Sequence, residues 1–153
     1  MQEQYDLIVV GAGPAGLLAA KAAGLAGFRV ALIERKTDVC RLDRMCGQTL
    51  VSANDYYFDD LVNYNRRGKC ISFLKNGFSF SYDGPIKNLN GWNVYSPNGN
   101  CMPFGIPAAT RKKGDHGCVG FAYDKEKLFA CLLGEVKQAG VEVITGIDIT
   151  GVE

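Results

Sequence analysis

The residues best suited to chemistry in this chain are three glycines in one turn and a carboxylate about twenty residues later. Gly11-Ala12-Gly13-Pro14-Ala15-Gly16 follows a short apolar run, and Glu34 closes the next one. Each glycine has a separate task. Gly11 permits a tight turn, Gly13 lets a pyrophosphate approach the backbone with no Cβ in the way, and Gly16 lets the following helix pack closely on the sheet. The phosphates would lie along Gly13, Pro14 and Ala15, against the unpaired N–H groups and positive dipole end of that helix. Glu34 can accept hydrogen bonds from ribose hydroxyls. Arg35 and Arg44 can offset pyrophosphate charge through charge-assisted hydrogen bonds. For each, a solvated loop arginine is the plain alternative.

These groups need a scaffold, and the surrounding pattern supplies one. Tyr5 to Val10 reads as a strand buried on both faces, as in a parallel sheet. An Ala/Leu-rich helix runs on to about Ala26 and stops at Gly27; Phe28 to Glu34 is the second strand. Strand, turn, helix and strand fit within 34 residues, the size of a βαβ unit. Residues 35–49 are basic and irregular, and 51–64 read as a short helix. Ile71–Leu74 and Phe78–Tyr82 alternate around Lys75-Asn76-Gly77, a hairpin signal. Phe73, Phe78, Phe80 and Tyr82 are either sheet core or the wall of a substrate slot. Trp92–Tyr95 is a further strand, and 96–119 is rich in loops. Asp124 can cap a helix with Leu128, Cys131, Leu132 and Val136 on one face, stopped by Gly140. Val141–Ile144 and Ile147–Thr150 read as strands.

Composition narrows the function classes. The chain has 153 residues, 47% hydrophobic, with 17 basic against 16 acidic residues. Near-neutral charge argues for neither nucleic acid nor an anionic membrane surface. No apolar run approaches the roughly 20 residues of a spanning helix, and the first residues lack a secretory pattern, so a cytoplasmic protein is expected. Six cysteines occur without a Cys-x-x-Cys pair, so no metal site is expected. His116, the single histidine, sits in a Lys/Gly/Asp-rich loop with nothing nearby to orient it.

The choice of dinucleotide rests on layout. A nicotinamide domain usually continues directly into its next βα unit, whereas about 80 residues of basic loop and β-rich insertion intervene here. That suits FAD reaching across to a second domain; an NAD domain with a large insertion is the alternative. The glycine turn with Ile33-Glu34-Arg35-Lys36 resembles the start of FAD-dependent oxidoreductases of the p-hydroxybenzoate hydroxylase type. Arg44-Met45-Cys46-Gly47-Gln48 is similar to the Cys-Gly-Gly stretch of geranylgeranyl reductases within that group. The resemblance covers 5–50 and 121–153 well, and the middle only in its β-rich character.

The resemblance implies an α/β fold: a Rossmann-like FAD-binding βαβ unit with a central parallel sheet, plus a β-rich insertion that begins a substrate domain. Residues 1–70 and 114–153 would be two segments of the FAD-binding domain, and 71–113 the insertion. It implies cofactor contacts from Arg44, Met45, Cys46 and Gly47, with Cys46 beside the flavin in a catalytic role and Ile149 beside the adenine. An inert buried thiol is the alternative for Cys46. Two positions depart from the pattern: Gln48 replaces a glycine, and Gly120 stands where the family often carries arginine.

Three functions remain open at this level. One is a geranylgeranyl-reductase-like enzyme acting on C=C bonds of a small apolar, isoprenoid-type substrate. The others are an aromatic monooxygenase and a non-catalytic dinucleotide-binding module. The first implies an electron donor, NAD(P)H or ferredoxin-like, and peripheral membrane association of the full-length protein. The layout also predicts that these residues are the N-terminal part of a longer protein, and that alone they self-associate.

Overall fold

The computed structural model describes residues 4–43, 46–51 and 62–151, excluding the side chains of residues 110 and 116. In chain order, β1 (Leu7–Val10), α1 (Pro14–Leu25) and β2 (Val30–Glu34) come first. Then follow β3 (Thr49–Leu50), β4 (Asn63–Asn65), β5 (Cys70–Phe73), β6 (Phe78–Ser81), β7 (Ile86–Leu89), β8 (Trp92–Tyr95) and β9 (Cys101–Phe104). The remainder is α2 (Pro107–Lys112), β10 (Gly120–Tyr123), α3 (Lys125–Gln138) and β11 (Glu142–Thr145). Among the described residues, no helix is long and apolar enough to cross a membrane.

The chain divides into two compact units, residues 1–44 with 125–153, and residues 45–124. In the first unit, β1, β2 and β11 form a parallel sheet with β2 in the centre. The expected α/β class with a parallel sheet is borne out. Val30, Ala31 and Leu32 of β2 are buried, as are Leu17 and Ala20 of α1. α1 packs on β1 and β2, and α3 packs along α1. Leu128, Leu132 and Val136 are buried along α3 at the predicted helical spacing, whereas Cys131 is half-buried. The two helices approach closely because of Gly24, where a Cβ would meet the Ala139 carbonyl at 2.6 Å. An ion pair, Lys21 Nζ to Glu135 Oε2 at 2.8 Å, also joins them.

Two expectations fail in this unit. Among the described residues, β1 pairs with β2 alone, and Leu7, Ile8 and Val10 are exposed, so it is not buried on both faces. An apolar β-branched run reports what a strand is suited to pair with, not how many neighbours it has here. Residues 147–150 form no strand; the backbone instead returns to the end of β2.

The second unit is built of small antiparallel sheets, ordered β3-β10-β7, β4-β5-β6 and β8-β9. The hairpin expected around Lys75-Asn76-Gly77 is present as β5–β6, and Gly77 takes the left-handed conformation that closes it (φ +70°). Phe80 and Tyr82 are buried core, which answers the alternative of a slot for those two, and Phe78 lies more open, stacked on Phe73 at 4.5 Å. The helix expected over 51–64 does not reach Tyr64, which lies in β4 opposite Ile71; residues 52–61 lie outside the described residues. The loop-rich stretch 96–119 hides β9 and α2. Boundaries expected at 70/71 and 113/114 fall inside this unit, because β10 pairs with both β3 and β7.

Candidate dinucleotide site

The glycine turn links the end of β1 to the start of α1. Gly11 takes φ +94°, which a side chain rarely tolerates, and donates its N–H to the Ile33 carbonyl at 2.7 Å. Gly13 is the N-cap of α1 in ordinary extended backbone, and no side chain caps the helix there. Pro14 at the first helical position is pre-set for the helix and adds no orphan donor. A Cβ on Gly13 would meet nothing within 4 Å, so space is open where a phosphate would approach. Gly16 behaves oppositely: a Cβ there would lie 1.9 Å from the Gly11 carbonyl oxygen and 3.5 Å from Val9 Cγ1. The close approach is to the turn's own carbonyl before it is to the sheet. These features fit a pyrophosphate at the helix N-terminus.

Glu34 is joined to this turn directly. Its Oε2 accepts the Ala12 N–H at 2.7 Å, and its Oε1 accepts the Lys36 N–H at 3.0 Å. Both Glu34 and Ala12 are buried. Burial alone would push this carboxyl up. The N–H groups of Lys36 and Ala12, then the charges of Lys36 and Arg35, outweigh it and hold the group below the usual glutamate value. A carboxylate has about four lone-pair sites, so acceptor capacity remains for ribose hydroxyls.

The segment leading to Ile149 also comes to this end of β2. Ile147 donates its N–H to the Glu34 carbonyl at 3.2 Å, and Gly146 to that of Lys36 at 3.1 Å. Ile149 itself is exposed two residues beyond. The structure thus brings together Gly11, Gly13, Pro14, Ala15, Gly16, Glu34 and the segment before Ile149. Arg35 is exposed on the adjoining loop.

Sequence reasoning missed Ala12 and Lys36. Lys36 Nζ donates to the carbonyls of Val39 (3.2 Å) and Arg41 (3.0 Å), and it lies over the Phe129 ring. It therefore orders the basic loop after β2. A lysine in a basic run gives no sign of such a role; a buried alanine N–H gives none either.

Cys46 and Gly47 belong to the second unit, and Arg44 and Met45 lie outside the described residues. Cys46 is exposed rather than buried, and its Sγ accepts the Gln48 N–H at 3.4 Å. Gln48 takes φ +48°, the conformation that favours glycine, where the resembling family has glycine. Its carbonyl accepts the Tyr123 N–H at 2.9 Å. The Tyr123 phenol is pushed up, first by burial and then by the charge of Cys46. Among the described residues, no cluster of His, Cys, Asp or Glu suits a metal ion.

The sequence matches the family described as "Pyridine nucleotide-disulphide oxidoreductase" over residues 5–90. A digeranylgeranylglycerophospholipid reductase of Methanosarcina acetivorans is 29% identical over 151 residues, covering 99% of this chain and 31% of that protein. The reductase of that name from Methanocella arvoryzae is 54% identical over 39 residues, 26% of this chain and 10% of that protein. Among solved structures, a geranylgeranyl bacteriochlorophyll reductase-like protein from Thermoplasma acidophilum superposes with TM-score 0.59 at 21% identity. The match covers 94% of this chain and 30% of that one, and shows a shared fold. The resemblance to geranylgeranyl reductases is borne out, and the chain spans about a third of the length of such relatives.

Proposed function

Because the chain belongs to the pyridine nucleotide-disulphide oxidoreductase family, we propose that it is the FAD-binding portion of a flavin-dependent oxidoreductase. The substrate class proposed is an apolar, isoprenoid-type molecule whose C=C bonds are reduced, in keeping with the names of the relatives that align along almost all of this chain. One observation carries the cofactor reading. The open approach to Gly13 at the uncapped start of α1 is joined through Ala12 to a buried acid at the end of β2.

In this reading, Gly11 to Gly16 would cradle the pyrophosphate, and Glu34 would hold the ribose of the adenosine half. The segment at Ile149 would flank the adenine. Cys46 and Gly47 are proposed as flavin contacts on the family resemblance alone, as are Arg44 and Met45. Residues 71–113 would contribute to the substrate domain. The flavin would supply the hydride- or electron-carrying chemistry, while the protein binds it and excludes water. The electron donor would be NAD(P)H or a ferredoxin-like protein.

The test is Gly13→Val. A Cβ there would meet nothing within 4 Å, so the fold should lose only about 1 kcal/mol, from the poorer N-cap. FAD titration followed by flavin fluorescence should show binding reduced at least tenfold. A variant that binds FAD as the wild type does would sink the assignment of this turn.

A further inference from the structure

Lys36 lies just past the acid that closes β2, a place where a lysine suits a phosphate. Its contacts give it other work. The ammonium has three N–H donors, and it donates to the carbonyls of Val39 at 3.2 Å and Arg41 at 3.0 Å. Its charge lies over the Phe129 ring, 5.7 Å from the centroid, and Phe129 is buried on α3. Among the described residues Lys36 forms no ion pair. The ammonium is therefore engaged by the chain itself rather than turned toward a ligand.

What that engagement does follows from the backbone of the same residue. The Lys36 N–H goes to Glu34 Oε1 at 3.0 Å, and the Lys36 carbonyl accepts the Gly146 N–H at 3.1 Å. One backbone group thus serves the acid, and the other serves the segment that leads to Ile149. Any residue could make these bonds, but their direction depends on how residue 36 is held. The loop 37–41 holds it. Within that loop Asp38 Oδ1 accepts the Cys40 N–H at 2.9 Å, and Val39 is buried. Thr37 lies against Gly146, its Cγ2 3.5 Å from where a Cβ would be. The ammonium closes this bend back onto residue 36, so the backbone there has one orientation before a ligand arrives. Groups ordered in advance lose less conformational freedom on binding.

We propose that Lys36 is a positioning residue for the adenosine end of the dinucleotide site. By closing the loop 37–41 it fixes Glu34 and the segment before Ile149, without touching the cofactor. The inference rests on the FAD reading above, and it assigns the lysine a role apart from phosphate binding.

Trypsin supplies one readout, because the bond it cuts after the exposed Arg41 uses the carbonyl that Lys36 holds. Lys36→Met keeps the apolar stem and removes the ammonium, so cleavage there should speed up. In the wild type, bound FAD should slow it, since a ligand on Glu34 stabilises the arrangement that the closed loop maintains. By titration, FAD, ADP and adenosine should each bind the Met variant more weakly, by about tenfold for FAD. Lys36→Arg should recover most of that loss, because a guanidinium can also donate to carbonyls and lie over a ring. A folded Lys36→Met, checked by circular dichroism, that binds FAD as the wild type does would overturn the proposal. So would weaker ADP binding with adenosine unchanged, for the lysine would then meet the phosphates itself. Should the Met variant fail to fold, the wild type still decides: FAD that binds yet leaves cleavage after Arg41 unchanged overturns the coupling. Wild type that binds neither FAD nor ADP sinks the cofactor reading instead.

Discussion

Replacing Glu34 with glutamine should destabilise the protein even with no ligand bound. The carboxylate accepts two backbone N–H groups, from Ala12 at 2.7 Å and Lys36 at 3.0 Å. Glutamine has one oxygen, so one N–H would face an NH2 group instead. A buried donor left unsatisfied costs about 1–3 kcal/mol. The bond that survives changes from charge-assisted to neutral, about 1 kcal/mol more. The expected loss is therefore about 2–4 kcal/mol, measured by urea unfolding of the FAD-free protein at neutral pH. The pH dependence gives a second check. The folded-state pKa lies below the unfolded one. The contribution is thus full above about pH 4.3, the ordinary glutamate value, and is lost as pH falls through the folded value. The gap between wild type and Glu34→Gln should narrow in acid. A loss under about 0.5 kcal/mol at neutral pH would refute the argument, since no buried bond would then be at stake.

Gly16→Ala should behave unlike a change at Gly13, because its methyl would lie 1.9 Å from a backbone oxygen. About 3 kcal/mol or failure to fold is expected, read from the urea midpoint. Tyr82→Phe removes a buried hydroxyl that donates to the Pro85 carbonyl at 2.9 Å and accepts the Asp124 N–H at 2.8 Å. The same assay should show a loss of about 1–3 kcal/mol. Gln48→Gly releases a left-handed residue (φ +48°) and should raise stability by about 1 kcal/mol; a fall would show that the side chain contributes more than the backbone strain costs.

What was legible in the sequence divides along physical lines. The βαβ unit and its glycine turn could be read because each local choice agrees with the next: apolar run, glycines, Ala/Leu helix, apolar run. α3 was legible from its 3.6-residue spacing, and the β5–β6 hairpin from Asn76-Gly77. β7, β9 and β10 were not: each is four residues long, and β7 and β10 pair with each other across about thirty residues of chain. Pro103 within β9 and Gly120 at the start of β10 also read as loop. The exposure of β1 could not be read either. It depends on how many strands lie beside it, and Leu7–Val10 carries no record of that.

The same distinction explains why Glu34 was found and its bond to Ala12 was not. An acid at the end of the second strand is a pattern of type and spacing. That its carboxylate reaches back to the glycine turn follows only once β1 and β2 are in register, with Val10 beside Ile33. This register brings the turn to the acid, and the Ala12 N–H then becomes a buried donor requiring an acceptor. Glu34 thereby orders the turn before any phosphate arrives, and a preordered turn spends less conformational entropy on binding. A substitution at Glu34 should accordingly weaken pyrophosphate binding as well as ribose binding. FAD and ADP, both carrying ribose and pyrophosphate, should lose more affinity in Glu34→Gln than adenosine, which has the ribose alone. Equal losses for ADP and adenosine, by calorimetric titration, would show that the acid acts on the ribose and leaves the turn unaffected.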